Sequence, residues 1–176
     1  RTIEDKRVHP VLAQQSIREL SLTNRSYKDV MDAACFAVFQ EGYKEGFGAD
    51  GDHLKEEEDI QMSIDLGFTM LTLDCTDKID DTIDEATKAD IESKYMALPQ
   101  EEREEVEGKY LNKEFKLTNS TMTYDRLKVM KYVLIYGNAI EFMKHVYDKY
   151  IQPAKRGIDF EISIDETSTP TTPESH

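Results

Sequence analysis

Three short runs that read as strands each finish in acids, and this feature constrains the chain more than any other. Gly46 to His53 is a small-residue segment that closes in Asp50, Asp52 and His53. Phe68 to Leu73 has the pattern of a buried strand and closes in Asp74. Phe160-Glu161-Ile162-Ser163-Ile164 alternates apolar with polar and closes in Asp165 and Glu166. Between the first two lies Lys55 to Leu66, whose Glu56, Glu57, Glu58 and Asp59 suit a helix N-terminus and which Gly67 stops. Strand, helix, strand is a βαβ unit, so the two strands run parallel through a crossover. Parallel-sheet enzymes gather their chemistry at the carboxyl ends of strands, and three acidic endings therefore predict one shared site.

The rest of the chain is organised around that unit. Residues 1–25 read as a connecting segment with a short helix from Val11 to Leu20, the apolar cluster Val8 to Leu12 being interrupted by Pro10. Residues 26–77 form the first part of an α/β barrel, opening with a helix that Ser26 caps and Asp29 supports at N3. Val30, Ala33, Ala34, Ala37 and Val38 share its apolar stripe, and Gly42 to Gly46 end it. Residues 78–157 turn helical and strongly charged for longer than a crossover needs, which predicts an inserted helical subdomain. Its helices are expected from Asp81 or Thr82 to Leu98, from Glu101 to Tyr110, and from Met122, capped by Ser120 or Thr121, to Tyr150. Residues 158–176 supply a further barrel strand and a Thr/Pro loop. The expected fold is α/β, a partial (β/α) barrel with a large inserted helical subdomain. The chain is expected to be a fragment of a longer one, since it begins at Arg1 and Pro173 to His176 read as the opening turn of a helix.

Charge excludes one class of partner. With 22 Lys plus Arg against 36 Asp plus Glu, the net charge is -14, and the basic residues form only isolated pairs such as Lys155-Arg156. Phosphate backbones need clustered cations, so nucleic acid is not the partner. An anionic small substrate needs a local cation, either a metal or a focused Lys or Arg. Cys35 and Cys75 lack the spacing of a structural zinc site, and a reducing cytoplasm is the expected location. No apolar run approaches the roughly 20 residues that cross a bilayer.

Within the strand endings, His53 beside Asp52 is the sharpest chemical feature. Neutral imidazole is a common ligand for a catalytic divalent metal, and a neighbouring carboxylate can serve as general base. Adjacent residues on a regular strand face opposite ways, so both reach one site only where the strand has ended or bulged. Asp74 reads equally as the turn residue of Asp74-Cys75-Thr76-Asp77. Asp165 and Glu166 read as site or loop acids, and Glu161 on the polar face is then a buried charge in need of an explanation. Asp50, Lys55 and His176 are further candidates for lining the same mouth, whereas His9 and His145 have no partner at useful spacing. Gly46-Phe-Gly-Ala-Asp-Gly has acids where a phosphate would sit, and no GxSxG elbow occurs.

Phe47-Gly-Ala-Asp-Gly-Asp-His-Leu-Lys, Gly67-Phe-Thr-Met-Leu-Thr-Leu-Asp-Cys-Thr-Asp and Glu161-Ile-Ser-Ile-Asp-Glu-Thr together resemble the tagaturonate epimerase family, across most of residues 26–176. The resemblance implies interconversion of D-tagaturonate and D-fructuronate with a divalent metal. It implies Asp52 as proton acceptor, His53 as metal ligand and Glu166 as proton donor, with the other ligands beyond His176 and this segment inactive alone. The Asp-His pair is also similar to that of class II metal-dependent aldolases. An aldolase-type lyase acting on a sugar acid is therefore one alternative. A non-catalytic helical interaction module, built on the apolar stripe from Leu127 to Val146, is the other.

Overall fold

Serine caps set the entry of the first two helices. In the computed structural model, which describes residues 9–165, 167–168 and 171–176, Ser16 and Ser26 each accept a hydrogen bond from the N3 backbone N–H. Glu19 and Asp29 return the bond through their carboxylates, completing a capping box at α1, Ile17–Thr23, and at α2, Tyr27–Glu41. Gly42 closes α2 in the left-handed conformation, as its sequence position predicts. The buried stripe of α2 is Tyr27, Val30 and Ala34, whereas Ala33 and Ala37 face solvent.

Of the expected connecting segment 1–25, the described residues 9–25 differ from that reading. Val11–Ser16 form a strand, β1, and the helix begins at Ile17 rather than Val11. The cap at Ser16 sets that boundary locally, but the strand exists because it pairs in parallel with a distant one, β2, Gly48–Leu54. After β2 come α3, Glu57–Leu66, then β3, Met70–Asp74, as the acid-rich start and Gly67 predict. Gly67 sits at φ +96°, a conformation that ends α3 and that side chains other than glycine's resist.

The described chain divides into two compact units, Lys78–Phe142 with Asp165–His176 being one and Arg1–Asp77 with Met143–Ile164 the other. The first of these holds α4, Lys88–Met96, α5, Gln100–Tyr110, the antiparallel strands β4, Glu114–Lys116, and β5, Thr121–Thr123, and most of α6, Arg126–Val146. The helix expected from Asp81 to Leu98 is broken in two. Asp80 starts a short 3-10 turn over Asp81–Glu85, and Thr87 caps α4 afresh. The helix expected from Met122 starts at Arg126 instead, where Asp125 accepts the Lys128 N–H at 2.9 Å, and Thr121–Thr123 pair as a strand. Ile83, Ile91, Tyr95, Met130 and Ile135 form this unit's core. Thr172 takes the N–H groups of Ser175 and His176, so the last residues do make a helix-like turn.

The other unit is built on a four-stranded parallel sheet in the order β1, β2, β3, β6, the last being Asp159–Ser163. Ala13, Ala49, Leu54, Leu71 and Leu73 are buried in it, as are Val30 and Ala34 of α2 and Ile60 of α3. Tyr27 of α2 meets Phe68 edge to face at 5.0 Å, anchoring the helix where β3 begins. Arg156 donates to the Ile64 and Phe68 carbonyls at 2.9 and 2.8 Å, tying the segment before β6 to the end of α3.

Candidate active site at the strand ends

The two faces of the parallel sheet differ in chemistry. A Cβ placed on Gly51 would meet Ser63 of α3 with Leu54 and Leu71, so Gly51, Leu54 and Leu71 face the helices. Strand alternation then turns Asp50, Asp52, Thr72 and Asp74 to the opposite face. Gln14 pairs in register with Asp50, Ser16 with Asp52, Glu161 with Thr72 and Ser163 with Asp74. Parallel strands covered on both sides read as near-continuous apolar runs, whereas this sheet gathers its polar side chains on one face.

Asp50 lies deepest on that face, 2% exposed. Thr72 donates to both of its carboxylate oxygens at 3.2 Å and Gln14 Nε2 to one at 3.4 Å. Burial pushes its pKa up; the Thr72 and Gln14 hydrogen bonds offset part of this, while the charges of Asp52 and Glu161 add to it. Glu161 itself is exposed rather than buried, because β6 pairs only with β3 among the described residues.

One step further along, β2 leaves its regular register. The pairing with β3 shifts between Gly51 and Leu54, and His53 adopts φ +52°. This irregularity is the condition under which two adjacent residues share a site. His53 Nε2 lies 3.9 Å from Asp52 Oδ1, and its Nδ1 lies 3.4 Å from Asp74 Oδ2. Asp74 is more than a turn residue: its Oδ1 accepts the Thr76 N–H at 2.9 Å while Oδ2 faces both His53 and Lys55 Nζ, the latter at 3.6 Å. Burial pushes Asp74 up, but Thr76, Lys55 and His53 outweigh it and leave the carboxyl below its ordinary value. Lys55 bridges Asp74 and Asp77 and is held charged, chiefly by its 3.0 Å bond to Asp77.

Asp50, Asp52 and Asp74 thus share one face of the sheet, and Asp52, His53, Lys55 and Asp74 gather at its carboxyl end. Asp165 and His176 belong to the other compact unit, and Glu166 lies outside the described residues. Gln14 and Thr72 were missed by sequence reasoning. Thr72 is signalled by its alternation with Leu71 and Leu73, whereas Gln14 lies on a strand that has no local signature. A cleft of 570 Å³ between α2 and α3, lined by Tyr27, Glu58, Met62 and Leu66 among others, contains none of the strand-end residues. Imidazole and carboxylate donors side by side suit a divalent ion of the first transition row or zinc. Among the described residues no group of three or more His, Cys, Asp or Glu side chains could by itself hold a metal ion, and His53 with Asp52 offers one nitrogen and one carboxylate donor.

The model of a protein family described as UxaE, tagaturonate epimerase, matches residues 1–176. The chain belongs to the tagaturonate epimerase family. A tagaturonate/fructuronate epimerase from Thermotoga maritima is 36% identical over 176 residues, covering 100% of this chain and 36% of that protein. The glycerol-complexed crystal structure of the fructuronate-tagaturonate epimerase from Cohnella laeviribosi is 58% identical, with a TM-score of 0.90 over 95% of this chain and 34% of its own. The native crystal structure of the same epimerase gives 57% identity and a TM-score of 0.89. The chain therefore spans about a third of the length of these family members. Among the described residues no helix is long and apolar enough to cross a membrane.

Proposed function

We propose that this chain carries part of the active site of an epimerase that interconverts D-tagaturonate and D-fructuronate with a divalent metal. The observation that carries the reading is the meeting of Asp52 and His53 at the bulged end of β2, on the polar face of a parallel sheet, in a member of this family. The barrel would be completed by the part of its relatives' length that this chain does not span, which would also hold the remaining ligands.

His53 would hold the metal, with carboxylate oxygens nearby, and the bound ion would supply Lewis acidity to the substrate's ketone and the neighbouring hydroxyl. The carbon to be inverted lies β to that ketone, so its hydrogen is not acidified directly. Cleavage of the adjoining carbon–carbon bond avoids this difficulty. Asp52 would take the proton from the hydroxyl on the inverting carbon, giving an aldehyde as the electrons of the broken bond pass to the ketone-bearing fragment as an enediolate. Rotation of the aldehyde and re-addition would form the same bond on the opposite face, and Glu166 would return a proton to the new alkoxide.

The test uses a full-length enzyme containing this segment. Exchange of a labelled three-carbon fragment into product supports the bond-cleavage route. Metal-dependent uptake of solvent deuterium at the inverted carbon refutes it. Net release of fragments would instead identify the aldolase-type lyase, and metal affinity unaltered by His53→Ala would remove the ligand assignment.

A further inference from the structure

Asp74 faces the imidazole nitrogen turned away from Asp52, and this relationship decides more than proximity. His53 Nδ1 lies 3.4 Å from Asp74 Oδ2, while Nε2 lies on the Asp52 side, 3.9 Å from Oδ1. A carboxylate has no hydrogen to donate, so the contact exists as a hydrogen bond only if Nδ1 carries the proton. In a neutral imidazole the remaining lone pair is then on Nε2. Asp74 is itself held against rotation. Its Oδ1 accepts the Thr76 N–H at 2.9 Å, and Lys55 Nζ approaches Oδ2 at 3.6 Å from beyond the strand end. The Asp74 side chain is 10% exposed, so on the carboxylate's side few waters compete for the bond, while the ring itself is 38% exposed and open to a ligand.

We propose that Asp74 is a positioning residue that fixes the tautomer and ring orientation of His53, so that Nε2 is the nitrogen presented to a divalent cation beside Asp52. The inference rests on the reading of His53 as a ligand. It adds which nitrogen binds, and it gives the acid ending of β3 a task that neither a turn nor a direct ligand would have. It also accounts for the backbone at His53. The left-handed φ of +52° turns this residue out of strand alternation, letting one ring reach Asp74 of the neighbouring strand and Asp52 of its own.

The experiment compares metal-free and metal-titrated full-length enzyme in four variants. Asp74→Ala is expected to weaken manganese or zinc affinity about 10- to 100-fold, the usual cost of losing such an orienting partner. Asp74→Asn, which retains an acceptor oxygen, should lose less. Asp77→Asn neutralises the other carboxylate held by Lys55 and should leave affinity within twofold. The readout that a merely structural role would not move is the nitrogen NMR signature of His53 in the metal-free protein, assigned by its disappearance in His53→Gln. The Nδ1-protonated form should dominate with Asp74 and lose that dominance in Asp74→Ala. Should His53→Gln abolish metal binding while Asp74→Ala changes neither the affinity nor the tautomer, the positioning role is overturned and the ligand reading survives. If His53→Gln leaves affinity unchanged, both fall.

Discussion

Thr72 Oγ1 lies 3.2 Å from each carboxylate oxygen of Asp50, joining β3 to β2 across the polar face of the sheet. The bond stabilises a charge that the surroundings oppose. Burial, with the nearby charges of Asp52 and Glu161, raises the Asp50 pKa in the fold above its unfolded value. The native state then holds this proton more tightly than the unfolded chain does. The associated stability is complete below the unfolded pKa and is lost as pH rises through the folded one. Asp50→Asn keeps the shape and still accepts from Thr72. Its melting temperature is expected to exceed that of the parent at pH 7.5, with the difference closing near pH 3. A variant that melts lower at both pH values would show that the carboxylate is needed for the fold itself.

Glu57, the first residue of α3, collects three partners from the far end of the chain. Tyr150 donates to it at 2.6 Å, His145 Nε2 lies 3.1 Å away, and Lys149 forms an ion pair with it. Lys149 first, then Tyr150, lower its pKa from 4.5 to about 2. A lowered carboxylate contributes stability above its unfolded pKa and loses it as pH falls through the folded value. The contribution of this cluster should therefore drain away between about pH 4.5 and 2. Glu57→Gln should lack that acid-dependent component in melting curves taken across the same window.

His53 at φ +52° carries the backbone cost of a non-glycine residue in the left-handed region. Comparing His53→Gly with His53→Ala removes the imidazole from both and leaves only that cost in question. Denaturant unfolding should find the glycine variant more stable by roughly 1–2 kcal/mol, the usual penalty for a side chain in left-handed backbone. Metal affinity should be lost in both. Equal stability of the two would show that the backbone at residue 53 relaxes once the ring is gone.

Gly51 lets α3 lie close to the sheet. A Cβ there would stand 3.0 Å from Ser63 Oγ and 3.2 Å from Leu54 and Leu71 side-chain carbons. Gly51→Ala should destabilise by about 1–3 kcal/mol through overpacking. Adding Ser63→Ala, which removes the closest atom, should recover part of that loss, and a double-mutant cycle in urea measures the coupling.

Much of this was legible from neighbouring residues alone. Ser26 with Asp29, the acids of α3, and Gly42 and Gly67 act within one turn of chain, so their caps and stops were found where local chemistry put them. The same logic explains the errors. Thr87 was overlooked as a second cap, so one expected helix became a 3-10 turn followed by α4. Met122 and Thr123 read as the start of the last helix with Ser120 or Thr121 as its cap, although pairing with Glu114–Lys116 draws Thr121–Thr123 into a strand. β1 was missed because Val11 to Ser16 carry little strand character of their own and become a strand by bonding to residues 48–52.

For the site, sequence by itself determined the inventory: acids at the ends of three strand-like runs, one histidine among them, and motifs specific enough to indicate the family. Those properties follow from side-chain chemistry and from alternation along a single strand. Tertiary structure alone decided the partnerships. That Thr72 and Gln14 support Asp50, that β2 slips register so that Asp52 and His53 share one place, and that Asp74 faces Nδ1 rather than solvent all depend on parallel pairing between segments about 20 to 36 residues apart. Such pairing is settled by packing α2 and α3 against the apolar face, and no local rule of sequence contains it.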